Sequence, residues 1–245
     1  MYRFFVEPSQ IAEDHIVING QDAHHISHVL RMRQGEEILV SDGASTEYTC
    51  AISEFQENEV IARIIDFGKS AMELPSKLYL FQCLPKSDKM ELIIQKAVEL
   101  GVYEVIPVAS SRCVVKLDAK KEAAKIKRWQ GISESAAKQS KRMVVPQIHS
   151  VMSFGEALQY AGEMDVKLIP YELATGMAGT RELISQIRPG QSVAVFIGPE
   201  GGFAESEIEK AQEMGVQPVT LGKRILRTET AGLTILSILM YHLEQ

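Results

Sequence analysis

The stretch Val193-Ala-Val-Phe-Ile-Gly-Pro-Glu-Gly-Gly-Phe203 decides how this chain is read. Its apolar run is a buried strand, apolar on both faces as in covered parallel sheets. The strand leads into a turn holding Gly198, Gly201 and Gly202, and a helical run, Ala204–Met214, follows. Glycines there let the backbone approach a ligand closely and adopt positive φ. The spacing fits neither GxGxxG nor GxxxxGK[ST], so the dinucleotide and P-loop fingerprints both fail. Glu200 in the turn and Glu205, Glu207 and Glu209 beyond it also oppose a phosphate at the helix start. An acidic glycine turn suits a neutral or cationic ligand, and a side chain added at Gly201 is expected to meet it.

Outward from this stretch the same rhythm repeats. Lys77–Leu84, Tyr103–Ala109, Val166–Tyr171 and Gln217–Leu221 read as strands, with helical runs at Ser87–Leu100 and Arg181–Ile187. Strands alternating with amphipathic helices imply an α/β unit with a parallel sheet covered on both faces. Ligands in such sheets sit at the carboxyl ends of the strands. The first 70 or so residues are β-rich instead, with Tyr2–Val6, Ile38–Val40 and a hairpin of Tyr48–Phe55 and Val60–Phe67 around Gln56-Glu57-Asn58-Glu59. With one helical run at Ala23–Met32, they are expected to form a small β-barrel. Gly68–Ser76 reads as a linker, giving expected domains 1–70 and 76–245.

A second motif, Leu221-Gly-Lys-Arg-Ile-Leu-Arg-Thr-Glu-Thr-Ala231, places Lys223, Arg224 and Arg227 beside the start of the last helix, with Thr228 as its expected N-cap. That helix is apolar nearly all round and is expected on the sheet or between subunits. Charges beside a buried helix start are costly without a partner.

Composition narrows the function. The 245 residues are 45% hydrophobic and 24% charged, the mix of a chain with a real core. No apolar stretch approaches the ~20 residues that span a bilayer, and the N-terminus lacks the apolar core of a secretion signal. Cys50, Cys83 and Cys113 form no CxxC pair, as expected in a reducing compartment. These features predict a cytoplasmic protein without a membrane partner. The net charge of −6 argues against nucleic acid, yet Arg112 to Arg142 holds ten basic and three acidic residues, so that segment carries +7. A local cation block on an acidic chain is what a polyanion-facing surface needs; the plainer alternative is a solvated helix face.

The two motifs resemble the RsmE family of 16S ribosomal RNA uridine-N3 methyltransferases. His24-His25-Ile-Ser-His-Val-Leu-Arg-Met-Arg-Gln-Gly35 and Lys86-Ser-Asp-Lys-Met-Glu-Leu-Ile-Ile-Gln-Lys-Ala-Val-Glu-Leu-Gly-Val102 agree with it. In Lys138-Gln-Ser-Lys-Arg142 the family reads close to E-Q-S-G-R. The resemblance implies a PUA-like N-terminal RNA-binding barrel, a SPOUT methyltransferase domain with a trefoil knot, a homodimer, S-adenosylmethionine as methyl donor, and 16S rRNA or the assembled 30S subunit as substrate. A sulfonium cation without pyrophosphate fits the acidic glycine turn. Three strand exits are then expected to hold the cofactor: Leu168, Ile169, Pro170 and Glu172; Ile197, Gly198, Pro199, Glu200, Gly201 and Gly202; and Leu221, Gly222, Arg224, Ile225 and Leu226. Leu221, Ile225 and Leu226 are expected to sandwich the adenine. Arg3, Arg31, Arg33, Lys86, Lys120, Lys121, Lys125, Arg128, Gln139 and Arg142 are the RNA candidates.

Uridine N3 must lose its proton and be taken out of any base pair before methylation. Glu200 and Glu229 are the candidate bases, and Arg112, Arg142 and Arg227 the candidate cations for the uracil oxygens. His24 and His28 have helical metal spacing but no third ligand, and no metal is expected. Trp129 is read as helix packing ahead of base stacking. Two rivals are a nicotinamide dehydrogenase, opposed by the missing GxGxxG, and a non-catalytic RNA-binding protein with a degenerate SPOUT domain, opposed by the intact glycines.

Overall fold

The computed structural model describes residues 1–43, 46–69, 72–172 and 176–244. They divide into two compact units, Met1–Glu73 with Ala137–Val145, and Leu74–Ala136 with Pro146–Gln245. Residues 70 and 71 of the expected linker lie outside the described residues. The stretch Ala137–Val145, expected with the later unit, packs instead with the first.

The first unit is built on β1 (Tyr2–Phe5), β2 (His15–Asn19), β3 (Glu37–Ser41), β4 (Thr46–Phe55) and β5 (Glu59–Lys69). They pair in the order β1-β3-β4-β5-β2. The path does not close on itself among the described residues, so the expected barrel is present as a half-barrel sheet. The β4–β5 hairpin is antiparallel, and the Gln56 amide donates to the Glu59 carbonyl at 2.8 Å across its turn. β2 is an addition to the strands expected from sequence. Its Ile16 and Ile18 alternate into the core beside Phe4, Ile26, Ile38, Val40 and Ile52, the period-two pattern of a half-buried strand. The expected helix over 23–32 lies three residues earlier and is broken: α1 (Gly20–His24) passes into one π turn, His25–Val29, and Arg31 follows in the left-handed region (φ 51°). The returning segment is fastened by polar contacts. Ser41 Oγ donates to the Met143 carbonyl at 2.7 Å, and Glu73 accepts from Arg142 Nε at 3.2 Å and from the Met143 amide at 2.8 Å.

The second unit carries the parallel sheet. β6 (Lys77–Cys83) and β7 (Val102–Ala109) are followed by short β8 (Gln147–Ile148) and β9 (Met152–Ser153), then β10 (Val166–Pro170), β11 (Ser192–Ile197) and β12 (Gln217–Val219). The order is β12-β10-β11-β6-β7-β8, with β9 on β7 and every pairing parallel. The chain starts at β6, builds outward through β7 and β8, then returns to the other side of β6. The β6–β11 boundary is therefore a topological switch point, where open α/β sheets hold ligands.

Helices cover both faces. α2 (Lys89–Glu99) buries Met90, Ile93, Ile94, Ala97 and Val98, a one-sided stripe at helical spacing, and packs on α7 (Thr228–Leu243). The opposite face is covered by α4 (Phe154–Tyr160) and α6 (Glu205–Glu213) around the stacked rings of Phe81 and Phe196, 4.4 Å apart. α5 (Met177–Gln186) packs on α7 and β12. The basic block forms α3 (Ala119–Gln139), 21 residues long. Trp129 is buried (3% exposed), so it packs and does not stack on bases. Ser133 Oγ donates to the Pro146 carbonyl at 2.7 Å, and Glu122 accepts from the Val151 amide at 2.9 Å.

Candidate functional site

Three loops leave the carboxyl ends of β10, β11 and β12 and enclose one cleft of about 530 Å³. Its walls are Pro170–Glu172, Ile197–Phe203 and Thr220–Thr228, with Lys89 and Ala231 completing them. Each loop is braced from behind. Thr180 on α5 accepts from the Thr220 amide at 3.0 Å and donates to its carbonyl at 3.1 Å. The Tyr171 amide donates to the Val219 carbonyl at 3.0 Å. Arg112 Nη1 donates to the Gly201 carbonyl at 3.0 Å, while Glu207 accepts from the Ser111 amide at 2.8 Å and the Ala204 amide at 2.9 Å. Glu207 thus caps the start of α6 and anchors the Ser111 turn to it.

The floor of the cleft is electrostatic. Lys89 Nζ lies 3.1 Å from Glu200 and 3.3 Å from Glu229, and the Lys86 amide donates to Glu200 at 3.1 Å. Glu200 and Lys89 line the cleft together with Glu172, Lys223, Arg224 and Arg227, while Glu229 pairs with Lys89 from outside that lining. Burial pushes the Glu200 carboxyl up, but its own backbone amide, the Lys89 ammonium and the Lys86 amide together hold it below its ordinary value. Glu200 holds Lys89 above the ordinary lysine value against partial desolvation, with Glu229 adding to it. Because the Glu200 carboxyl is depressed in the folded chain, its stabilising tie is complete above the ordinary carboxylate range. It is lost as pH falls through the depressed value. Ligand affinity at this cleft is therefore expected to stay level on the neutral side and to fall on acidification, checked by calorimetry across pH. A loss of affinity beginning near neutrality would overturn the assignment of Glu200.

Thr228 is not the N-cap of α7; Arg227 occupies that place and Thr228 is the first helical residue. Its buried hydroxyl donates to the Gly198 carbonyl at 2.6 Å and accepts from Gln82 Nε2 at 2.9 Å.

The family model for an RNA methyltransferase domain matches residues 72–240, and that for an RNA methyltransferase PUA domain matches 18–65. The chain belongs to the RNA methyltransferases. It is 38% identical over 250 residues to ribosomal RNA small subunit methyltransferase E of Bacillus subtilis, covering 100% of this chain and 98% of that protein. Among solved structures, it is similar to a ribosomal RNA small subunit methyltransferase E from Neisseria gonorrhoeae bound to S-adenosyl methionine. The identity is 34% and the TM-score 0.83, with 97% of this chain and 95% of the other covered. A putative methyltransferase from Legionella pneumophila, in complex with bound cofactor SAM, is 32% identical with a TM-score of 0.85, covering 98% and 97%.

Within this methyltransferase the expected cofactor residues separate. Pro170, Glu172, Ile197, Gly198, Pro199, Glu200, Gly201, Gly202, Leu221, Gly222, Arg224, Ile225 and Leu226 line the cleft. Leu168 and Ile169 do not: both are fully buried in β10, one turn of the pleat too early. Ile225 is 85% exposed, so it stands at the rim and does not form a closed sandwich. Gly201 departs from expectation in one respect. A Cβ there would meet Arg112 at an ordinary 3.5 Å, whereas Gly222 holds φ +119° at the cleft.

Of the catalytic candidates, Glu200 and Arg227 line the cleft, Glu229 pairs with Lys89 beside it, and Arg112 braces the Gly201 loop from behind. Arg142 lies in the first unit, its side chain 6% exposed on Glu73. Arg3 is likewise turned into the first unit, its side chain 5% exposed, paired with Glu47 and donating to the Arg142 carbonyl at 3.0 Å. Both are structural ties. Arg31, Arg33, Lys86, Lys120, Lys121, Arg128 and Gln139 are exposed and Lys125 half-buried over the Trp129 ring. Lys121 pairs with Asp118 and Arg128 with Glu91. The rings of His24 and His28 stack at 4.5 Å, and no group of three metal-ligating side chains occurs among the described residues. Cys83 and Cys113 meet at the end of β6, all three thiols being free; the Cys83 contact, against burial, lowers the Cys113 thiol to about 6.

Two residues of this site carried no expectation from sequence. Lys89 is the one cation in an amphipathic run that faces two acids, and Gln82 the one amide inside an apolar strand; the second is visible as a polar interruption.

Proposed function

We propose that this chain transfers a methyl group from S-adenosylmethionine to N3 of a uridine in small-subunit ribosomal RNA. The cleft supports that cofactor on three counts. Its glycine loops let backbone come close to an adenine edge, the Glu200 carboxylate stands in its lining for a sulfonium, and its size suits a nucleoside. The observation that carries the reading is the three-loop glycine cleft at the strand ends, which lies inside residues 72–240, the stretch that the RNA methyltransferase family model matches. When bound, the cofactor supplies an electrophilic methyl group.

The chain's own residues do the rest. Glu200 is held ionised by the amides and the Lys89 ammonium beside it, so it positions and balances charge more readily than it takes up a proton. Arg224 and Arg227 line the cleft and would stabilise negative charge on the uracil carbonyl oxygens, which lowers the hold of N3 on its proton and lets that proton pass to solvent water. Alignment of N3 behind the methyl group supplies much of the rate. Calorimetry with S-adenosylmethionine and with NADH, followed by mass mapping of the nucleotide methylated in rRNA, tests this reading. Binding of NADH alone, or methyl transfer to another atom, would overturn it.

The exposed cations of α3 are assigned to RNA. Reversing Lys120, Lys121, Lys125 and Arg128 is expected to weaken rRNA binding and reduce its salt slope by about one for each phosphate no longer neutralised. Cofactor affinity should not change. Unaltered RNA affinity would leave a solvated helix face, with Arg31 and Arg33 as the better candidates.

We further infer a trefoil knot, a homodimer, a cytoplasmic location and the 30S subunit as substrate. For the knot, β12 is the edge strand, yet α7 immediately after it packs on β11, β6 and α2 in the middle of the sheet. On that return the chain runs beside the loops that follow β10 and β11. For the dimer, α7 keeps apolar residues outside the core: Ile238 is 36% exposed and Tyr241 81%. For the location, no described helix is long and apolar enough to cross a membrane.

A further inference from the structure

Gln82 is fully buried in the middle strand of the sheet (0% exposed), among Leu78, Leu80, Ile197 and the inner face of α7. A primary amide in such surroundings is costly unless its groups are paired. Only its nitrogen is paired: Nε2 donates to Thr228 Oγ1 at 2.9 Å and to the Cys83 carbonyl at 3.0 Å, while Oε1 finds no hydrogen-bond donor among the described residues. An amide kept in the core with half its capacity unused is poorly explained by stability, because an apolar residue of the same shape would avoid that cost.

What the amide does achieve is directional. By donating to Thr228 Oγ1 it occupies that oxygen's acceptor side and turns the hydroxyl proton toward the Gly198 carbonyl, 2.6 Å away. Gly198 opens the loop after β11, and Thr228 closes the loop that precedes α7; both line the cleft. Gly198 packs closely on the Phe203 ring, which a Cβ there would meet at 3.2 Å. The relay therefore fixes the spacing between two of the three loops that form the cleft.

We propose that Gln82 and Thr228 are positioning residues for the cofactor, a buried amide–hydroxyl–carbonyl relay that holds the glycine loop and the loop before α7 at binding distance. The proposal rests on the methyltransferase reading above. Gln82 touches neither substrate nor cofactor and acts through Thr228 alone.

The test compares Thr228→Val, Thr228→Ser, Gln82→Met and the double variant Gln82→Met/Thr228→Val, each confirmed as folded by its melting curve. S-adenosylmethionine affinity is read by calorimetry, and methyl transfer at low and at saturating cofactor. Thr228→Val, which keeps shape and removes the hydroxyl, is expected to weaken cofactor binding by about 10-fold or more. Thr228→Ser should regain most of that affinity. Gln82→Met should weaken binding less, and the double variant no more than Thr228→Val, because both act through one hydrogen-bond chain. In each weakened variant kcat at saturating cofactor should recover while KM for the cofactor rises.

A fully additive double variant, an unchanged affinity in folded Thr228→Val, or a fall in kcat that saturation does not restore would overturn the relay. So would a serine variant as weak as the valine. Failure of the unaltered chain to bind S-adenosylmethionine would instead overturn the functional reading, and this inference with it.

Discussion

Gly222→Val is expected to abolish measurable S-adenosylmethionine binding, a loss of at least about 100-fold or 2.7 kcal/mol, in a chain that still folds. Gly222 sits at φ +119°, and a Cβ built on it meets no heavy atom within 4 Å. The added side chain has room, so nothing in the protein clashes. The cost is in the backbone, which β-branched residues scarcely tolerate at such angles, about 1–3 kcal/mol. The loop escapes that strain by changing its path, and the path is what shapes the cleft between Thr220 and Thr228. Stability falls only by the strain, which for a chain of this size lowers the melting temperature by roughly 2–12 °C. Gly201→Ala is the control. Its Cβ makes ordinary contact with Arg112 at 3.5 Å, and affinity should stay within about threefold. Calorimetry beside a melting curve separates the outcomes; a folded Gly222→Val chain with native affinity would move the cofactor out of this cleft.

Ile238→Asp combined with Tyr241→Asp is expected to give folded monomers whose methyl transfer is lost, by about 100-fold or more. Both side chains stand out from α7 on the side away from the sheet. Leu236 and Leu239 of the same helix are fully buried. An aspartate at either would place an unpaired charge in the core and unfold the chain, which says nothing about subunits. The choice of face makes the experiment informative. Sedimentation should show the unaltered chain as a dimer and the double variant as a monomer with unchanged circular dichroism. Activity retained in that monomer would mean each subunit works alone. A monomeric unaltered chain would remove the dimer altogether.

How much of this was legible in the sequence varies with the range of the interaction responsible. β11 could be read to the residue because a run apolar on both faces and a glycine turn are local signals. The parallel sheet and its three strand exits followed from strands alternating with helices. β2 is different: Ile16 and Ile18 alternate over only five residues, and their partner is β5, more than forty residues later. Leu168 and Ile169 were placed in the site because strand ends cannot be fixed from pattern to better than a few residues. Thr228 has a capping side chain beside a helix start, and tertiary contacts with Gln82 and Gly198 took it instead. Arg3 and Arg142 read as free cations because Glu47 and Glu73, their partners, are distant in sequence.

The return of Ala137–Val145 to the first unit sets a timetable for synthesis. Ser41 has no Met143 carbonyl to bond, and Glu73 no Arg142, until residues 74–136 have been made. At ~5–20 residues/s those 63 residues take roughly 3–13 s. Through that interval the nascent half-barrel is exposed on the side that the returning segment will cover. The amino-terminal unit, begun first, cannot be finished first; its last stitches come only after the first two strands of the catalytic sheet have left the ribosome.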